Sequence, residues 1–278
     1  MRVLLTGASG KTGRAVTAAL AARGTSVRAA IRPGSRRADL CRTAGSDEIA
    51  RVDLGTGEGL AAALAGVDAV YHLAPNVDPG EVTMAVSVAQ GAAAAGVKRF
   101  TFHSVLHPED ASLPHHLRKH AAEKEVRRIL PDAVVIRPAA YQDNLVPAAL
   151  AGQISVPYSL DAPFTNVALL DVAEAAAVVL TDGREERAYD LVGPEDLTVR
   201  EMAEIATEVL GRVVTARQMT VQRWLAGSGT GLSAQARGDL VAMFEAYDGA
   251  GLTGSSDDLA RLLGRPATTW AQTVARLC

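Results

Sequence analysis

The sequence predicts an α/β fold, a doubly wound parallel sheet with a smaller C-terminal α+β lobe, and three observations carry that prediction. Short apolar runs of strand length alternate with Ala-rich helical stretches through the first half of the chain. The first run, residues 2–6, ends in glycines at positions 7, 10 and 13 and passes directly into a helix. Beyond residue 150 the strand-like runs shorten and mix with amphipathic helices. At 278 residues the chain is long enough to bury a sizeable core.

The opening strand, Arg2-Val3-Leu4-Leu5-Thr6, leads into Gly7-Ala8-Ser9-Gly10-Lys11-Thr12-Gly13. Gly7 suits a tight turn, Gly10 lets backbone N–H groups approach a pyrophosphate with no Cβ in the way, and Gly13 allows the helix to close on the strand. The helix N-terminus then faces the anion, with Thr6, Ser9, Lys11 and Thr12 sharing the site. A purely structural turn is the alternative. With a strand before it and a helix after it, the loop points to a Rossmann-type dinucleotide site. Its spacing is G-x-x-G-x-x-G rather than G-x-G-x-x-G, and T-G-A-S-G-x-x-G resembles the extended and atypical short-chain dehydrogenase/reductases.

Gly24 ends the first helix, and residues 26–31 form a second strand followed by Arg32, Arg36 and Arg37, with no carboxylate before Asp39. An acid at this place would favour NAD, whereas arginines there suit the 2′-phosphate of NADP. A solvated basic turn is the other reading. Residues 49–54 form a third strand, where Asp53, beside Leu54, either accepts from the adenine amino group or begins the turn into Gly55. After a short helix at 59–64 comes a buried fourth strand, 67–75, whose end, Leu73-Ala74-Pro75, lies at the mouth of the sheet. A small-residue helix at 82–95 stops at Gly96. A fifth strand at 97–105, a helix at 114–129 and a sixth strand at 133–138 complete the alternation.

Gly96-Val97-Lys98-Arg99-Phe100, then His103-Ser104-Val105-Leu106-His107-Pro108, Lys119 with Ala122-Glu123, and Val134-Val135-Ile136-Arg137-Pro138 with Asn144 together resemble the NmrA-like branch of the atypical short-chain dehydrogenase/reductases. The resemblance runs from residue 1 to about 210 in motif order. It implies either a quinone or dye reductase or a redox-sensing regulator. It also implies that Lys119 lies near the nicotinamide ribose, Ser104 near the reacting carbonyl, and Asn144 on a loop over the nicotinamide. Four residues before Lys119, where Tyr-x-x-x-Lys carries its acid, this chain has His115. An imidazole can serve as proton donor near neutral pH; alternatively His115, His116 and His120 are solvated on a surface helix. Ser104 is open to a structural role as a strand-end hydroxyl. Tyr141 is the residue of its loop most able to touch a substrate, or else a packed aromatic.

In the smaller lobe, residues 154–160 and 164–169 read as short strands, 171–180 as a helix and 189–194 as another strand. Thr198 and Glu201 form a capping box for a helix to Leu210 before Gly211, and 213–217 returns as a strand. Gly-rich residues 225–231 and a loose stretch at 248–256 surround Trp224, Met243, Phe244 and Tyr247, which form either a mobile cover for an apolar pocket or ordinary loops. The expected division is a dinucleotide-binding domain at 1–150 and a substrate lobe at 151–278, with 166–182 returning to the first.

A net charge of -3 and an aromatic content of 4% give no reason to expect nucleic acid or an anionic membrane as partner. Two cysteines, Cys41 and Cys278, make neither a disulfide framework nor a metal site, which suggests a reducing, cytoplasmic setting. The N-terminus lacks a signal-peptide pattern, and no apolar run is long enough to span a bilayer. A homodimer is compatible with the sequence.

These features lead to an NADP(H)-dependent oxidoreductase that passes a hydride to an apolar, electron-poor aromatic, quinone-like or carbonyl acceptor. A quinone or dye yields a stabilised product, so the missing tyrosine acid matters least there. The alternative is a non-catalytic NADP(H)-sensing regulator. A nucleotide-sugar epimerase fits the fold but lacks its usual Tyr-x-x-x-Lys.

Overall fold

The computed structural model describes residues 1–182 and 186–278. Among them, the strands β1 (Arg2–Leu5), β2 (Ser26–Ile31), β3 (Glu48–Arg51), β4 (Ala69–His72), β5 (Arg99–His103) and β6 (Val134–Pro138) lie in one sheet. β7 (Gln153–Val156) and β9 (Thr215–Gln218) pair separately, while β8 (Ala188–Leu191) joins the large sheet beside β6. The large sheet has the order β3-β2-β1-β4-β5-β6-β8, and every pairing in it is parallel. It is a Rossmann-like, doubly wound α/β sheet. The order reverses between β1 and β4, so a crevice opens beyond their C-terminal ends.

Alternation along the strands gives each face its own core. Val3, Leu5, Val27 and Ala29 pack with Val16 and Leu20 of α1 (Lys11–Ala22) and Val172 of α7 (Leu169–Asp182). Leu4, Val70, Phe100 and Phe102 pack on the opposite side, against Leu64 of α3 (Leu60–Leu64), Val88 of α4 (Glu81–Ala94) and Val126 of α5 (Pro114–Ile129). The remaining helix before β3, α2 (Ala38–Thr43), buries Cys41. A short helix, α6 (Val146–Leu150), leads into β7, and α8 (Val199–Leu210) carries the expected capping box of Thr198 and Glu201.

Several expectations for the second half are corrected. Residues 164–169 form no strand: Phe164 N bonds Leu197 O, Thr165 N bonds Leu252 O and Val167 N bonds Ala140 O, so successive residues serve different neighbours and no ladder propagates. The run expected at 154–160 ends as β7 at Val156, because Pro157 has no N–H to continue it. The strand expected at 189–194 belongs to the large sheet rather than the small lobe, since Ile136 and Arg137 of β6 pair with Tyr189 and Asp190.

The loose stretch at 248–256 starts later than expected. After α9 (Val221–Ala226), α10 (Ala234–Ala250) continues to residue 250 and ends at Gly251, whose φ of 68° an L residue rarely adopts. α11 (Asp257–Leu263) packs on α7 and β8. The sequence reading missed α12 (Trp270–Arg276), where Trp270 is fully buried and donates its indole N–H to Met202 O.

Candidate active site

The crevice is a cleft of about 1100 Å³ running from the glycine loop to α10. Gly7 has φ 64°, and a Cβ there would lie 2.7 Å from Leu73 O. A Cβ on Gly13 would lie 2.3 Å from Gly7 O, so this glycine lets α1 close on the loop and does not itself reach the cleft. Gly10 is different: its only near neighbour would be Gly7 O at 3.3 Å, and it is the N-cap of α1 with no side chain capping the first turn. The free N–H groups of that turn and the open space over Gly10 fit a pyrophosphate. Ser9, Lys11 and Thr12 line the same end. Thr6 does not: it is buried beneath, with its hydroxyl near His72 Nδ1 (2.9 Å) and receiving the N–H of Leu73.

At the end beside β2 and β3, Arg32 and Arg37 line the cleft, whereas Arg36 does not. This departs from the expected set, in which Arg36 accompanied Arg32. Arg51 steadies the turn by donating to Ser35 O at 2.8 Å. Asp53 makes the turn, accepting from Gly55 N at 2.8 Å and Thr56 N at 3.2 Å, and it also lines the cleft. Leu54, Leu73, Ala74 and Pro75 complete this wall.

At the other end the structure brings Lys119, His115, Tyr141 and Asn144 to the cleft. Lys119 is 4% exposed, donates to His103 O at 2.9 Å and forms an ion pair with Glu81, a residue the sequence reading passed over. An ammonium has three N–H groups, so one remains for a ligand. Glu81 is fully buried, which pushes its carboxyl up against the opposing pull of Lys119. Asn144 accepts from Lys11 at 2.6 Å, which joins the loop after β6 to the glycine loop.

Two expectations about proton chemistry are corrected. His115 and His116 are not solvated; they are 5% and 2% exposed. Burial first, and the Lys119 charge second, hold the His115 imidazole down to about 3, so it is neutral at pH 7 and carries no acidic proton to give. Ser104 is 1% exposed and donates its hydroxyl to Glu123 at 2.5 Å, where Arg137 also binds at 2.6 Å. Ser104 lines the cleft, but its hydroxyl is committed to this buried network. Tyr141 and His103, by contrast, sit together, with the phenol oxygen 3.0 Å from Nε2.

α10 covers the far end. Met243, Phe244 and Tyr247 face the cleft with Tyr158, while Trp224 packs behind Phe244 with ring centroids 4.8 Å apart. The helix is pinned to α5 by the ion pair of Arg118 with Asp239, the latter 2% exposed.

With this geometry in place, comparison with known proteins fixes the class. A (4-alkanoyl-5-oxo-2,5-dihydrofuran-3-yl)methyl phosphate reductase of Streptomyces griseus is 34% identical over 227 residues, 79% of this chain and 77% of that one. Quinone oxidoreductase 2 of Escherichia coli is 26% identical over 243 residues, 82% of each chain. The NADPH complex of an NADPH-dependent quinone oxidoreductase from Escherichia coli superposes with a TM-score of 0.84 at 24% identity, covering 99% of both chains. Fold and cleft are those of an NAD(P)H-dependent oxidoreductase of the atypical short-chain dehydrogenase/reductase type. The chain belongs to the NmrA-like family, whose model matches residues 1–265. Among the described residues no helix is long and apolar enough to cross a membrane.

Proposed function

We propose that the protein is an NADPH-dependent reductase of an apolar, electron-poor acceptor, a quinone or a conjugated carbonyl compound. The observation that carries this reading is the continuity of one cleft: a phosphate-binding loop, a buried amine and an aromatic floor follow one another along it. Bound there, the dihydronicotinamide supplies the hydride.

The chain's own residues bind, orient and shield. The N-terminus of α1 holds the pyrophosphate, and Arg32 with Arg37 grip the 2′-phosphate by charge-assisted hydrogen bonds. The free N–H of Lys119 and the Asn144 amide hold the nicotinamide end. Tyr158, Met243, Phe244 and Tyr247 offer an apolar bed for a flat acceptor and exclude water from it. Tyr158 and Tyr247 meet edge to face at 5.8 Å within this bed. The acceptors in the relatives' names, an alkanoyl dihydrofuranone carrying a methyl phosphate and a quinone, share the conjugated carbonyl that such a site suits.

The test is loss of NADPH absorbance with a panel of quinones and unsaturated lactones. Turnover of one or more supports the reading. Tight NADPH binding with no turnover across the panel would instead indicate a cofactor-sensing regulator.

A further inference from the structure

Resting on the reductase reading, we infer that Tyr141 is the proton donor to the reduced acceptor, its proton aimed into the cleft by a hydrogen-bond chain through His103 to Tyr71. The three residues come from adjacent strands: Tyr71 lies on β4, His103 ends β5, and Tyr141 follows β6. Tyr71 is fully buried, and its hydroxyl lies 2.5 Å from His103 Nδ1. Tyr141 lies 3.0 Å from Nε2 of the same ring, and Thr12 donates to the Tyr141 oxygen at 3.5 Å.

The direction of each bond follows from hydrogen-bond accounting. Among the described residues the Tyr71 hydroxyl has no acceptor other than His103 Nδ1. Were the imidazole proton on Nδ1, the Tyr71 proton would be stranded in an apolar interior beside Leu5 and Ile136. Tyr71 therefore donates to Nδ1. Burial first, then the Lys119 charge, hold His103 down to about 3, so the ring carries one proton only, and that proton is on Nε2.

His103 Nε2–H thus donates to the Tyr141 oxygen. With Thr12 also donating to it, Tyr141 keeps its own proton, and the cleft is the side left for it.

Among the described residues at this end, Ser104 donates to Glu123, His115 is neutral, and Lys119 is paired with Glu81, its remaining N–H being given to the nicotinamide end. Burial pushes the Tyr141 phenol up, so it holds its proton until a strong base forms beside it.

The step balances. The hydride adds to the carbonyl carbon of a ketone, or to the β-carbon of an unsaturated lactone whose C=C pair shifts toward the carbonyl. The carbonyl π pair moves to oxygen, and that alkoxide or enolate oxygen takes the Tyr141 proton as the phenol O–H breaks, an enol then tautomerising in water. His103 Nε2–H and Thr12 then stabilise the phenolate, which water reprotonates through the open cleft after product leaves. The acid missing from Tyr-x-x-x-Lys is thereby supplied from the loop after β6.

Two measurements test this. Long-range ¹H–¹⁵N correlation on the cofactor-free, ¹⁵N-histidine-labelled protein should show His103 as the Nε2–H tautomer. Separately, Tyr141→Phe should lower kcat about 10²- to 10⁴-fold with an unsaturated lactone or ketone, whose reduced form is strongly basic. With a quinone the loss should be at least tenfold smaller, and KM and the NADPH Kd should stay within about threefold. An Nδ1–H tautomer in an active enzyme overturns the assignment of Tyr141 and leaves the reductase reading standing. Equal losses on both acceptors overturn it as well. A wild type inert to every acceptor overturns the reductase reading and Tyr141's role with it.

Discussion

Lys119 of α5 and Glu81 in the first turn of α4 form an ion pair in which the carboxylate is fully enclosed and the amine nearly so. The two helices are therefore joined by charge directly beneath the cofactor cleft. Lys119 meets a ligand as half of a neutral pair rather than as a free cation.

Glu81→Gln should accordingly destabilise the protein by about 3–5 kcal/mol, because it strands a buried ammonium. Glu81→Gln combined with Lys119→Met should recover much of that loss. Urea unfolding of the singles and the double measures the coupling; strictly additive losses would show that the pair contributes nothing.

Gly10→Val should abolish cofactor binding and leave the melting temperature nearly unchanged, since the space beside Gly10 is open apart from Gly7 O. Gly13→Val should instead lower the melting temperature, because its Cβ would collide with the Gly7 carbonyl. Thermal melts and NADPH titration of both variants separate the two glycines; an unchanged NADPH affinity in Gly10→Val would remove the pyrophosphate assignment.

The arginines give a sharper contrast. A hydrogen bond to a charged group is worth about 1.5–3 kcal/mol, and each ~1.4 kcal/mol is tenfold in affinity. Arg32→Ala and Arg37→Ala should each weaken NADPH by about one to two orders of magnitude and barely affect NADH. Arg36→Ala should change neither, since its side chain is outside the cleft. Calorimetry with both cofactors decides, and equal wild-type affinities for NADH and NADPH would refute the assignment.

Stability should fall on acidification, starting below neutrality. His72, His103 and His115 titrate at about 3 in the fold against 6.5 in the unfolded chain, each depressed chiefly by burial. A depressed value means that their contribution is complete above pH 6.5 and is lost as the pH falls toward 3. Through that window the unfolded state gains about one proton per histidine, which amounts to a slope on the order of 4 kcal/mol per pH unit for the three together. Glu81, raised by burial, acts in the opposite sense: its contribution is present below its unfolded value and fades as pH rises. Urea melts at pH 7, 6 and 5 measure the net slope, and a flat profile would mean that the native state accepts these protons.

Much of the large sheet was legible because its strands alternate with helices, and the glycines at 7, 10 and 13 lie after β1, where the strand order reverses. What stayed hidden was long-range. Glu81 looks like an ordinary first-turn acid, and only the packing of α4 on α5 turns it toward Lys119. His115 sits at the right spacing for an acid, yet spacing says nothing of burial, and burial decides its protonation. The run at 164–169 has a strand's composition, but its partners are Leu197, Leu252 and Ala140, each in a different part of the chain.

The loop that carries Tyr141 and Asn144 is held from far along the chain. Gln142 donates to Thr268 O at 3.3 Å and accepts from Thr273, while Asp143 accepts from Leu169 N at 2.8 Å and faces Arg276. During synthesis the glycine loop and its sheet emerge long before the last of these anchors, Thr268, Thr273 and Arg276. A nascent chain stalled before α12 therefore holds this loop through residues 166–169 and Lys11, without the contacts to Thr273 and Arg276. The loop over the cleft thus gains its last fixings from the final helix, after the sheet it extends from is already complete.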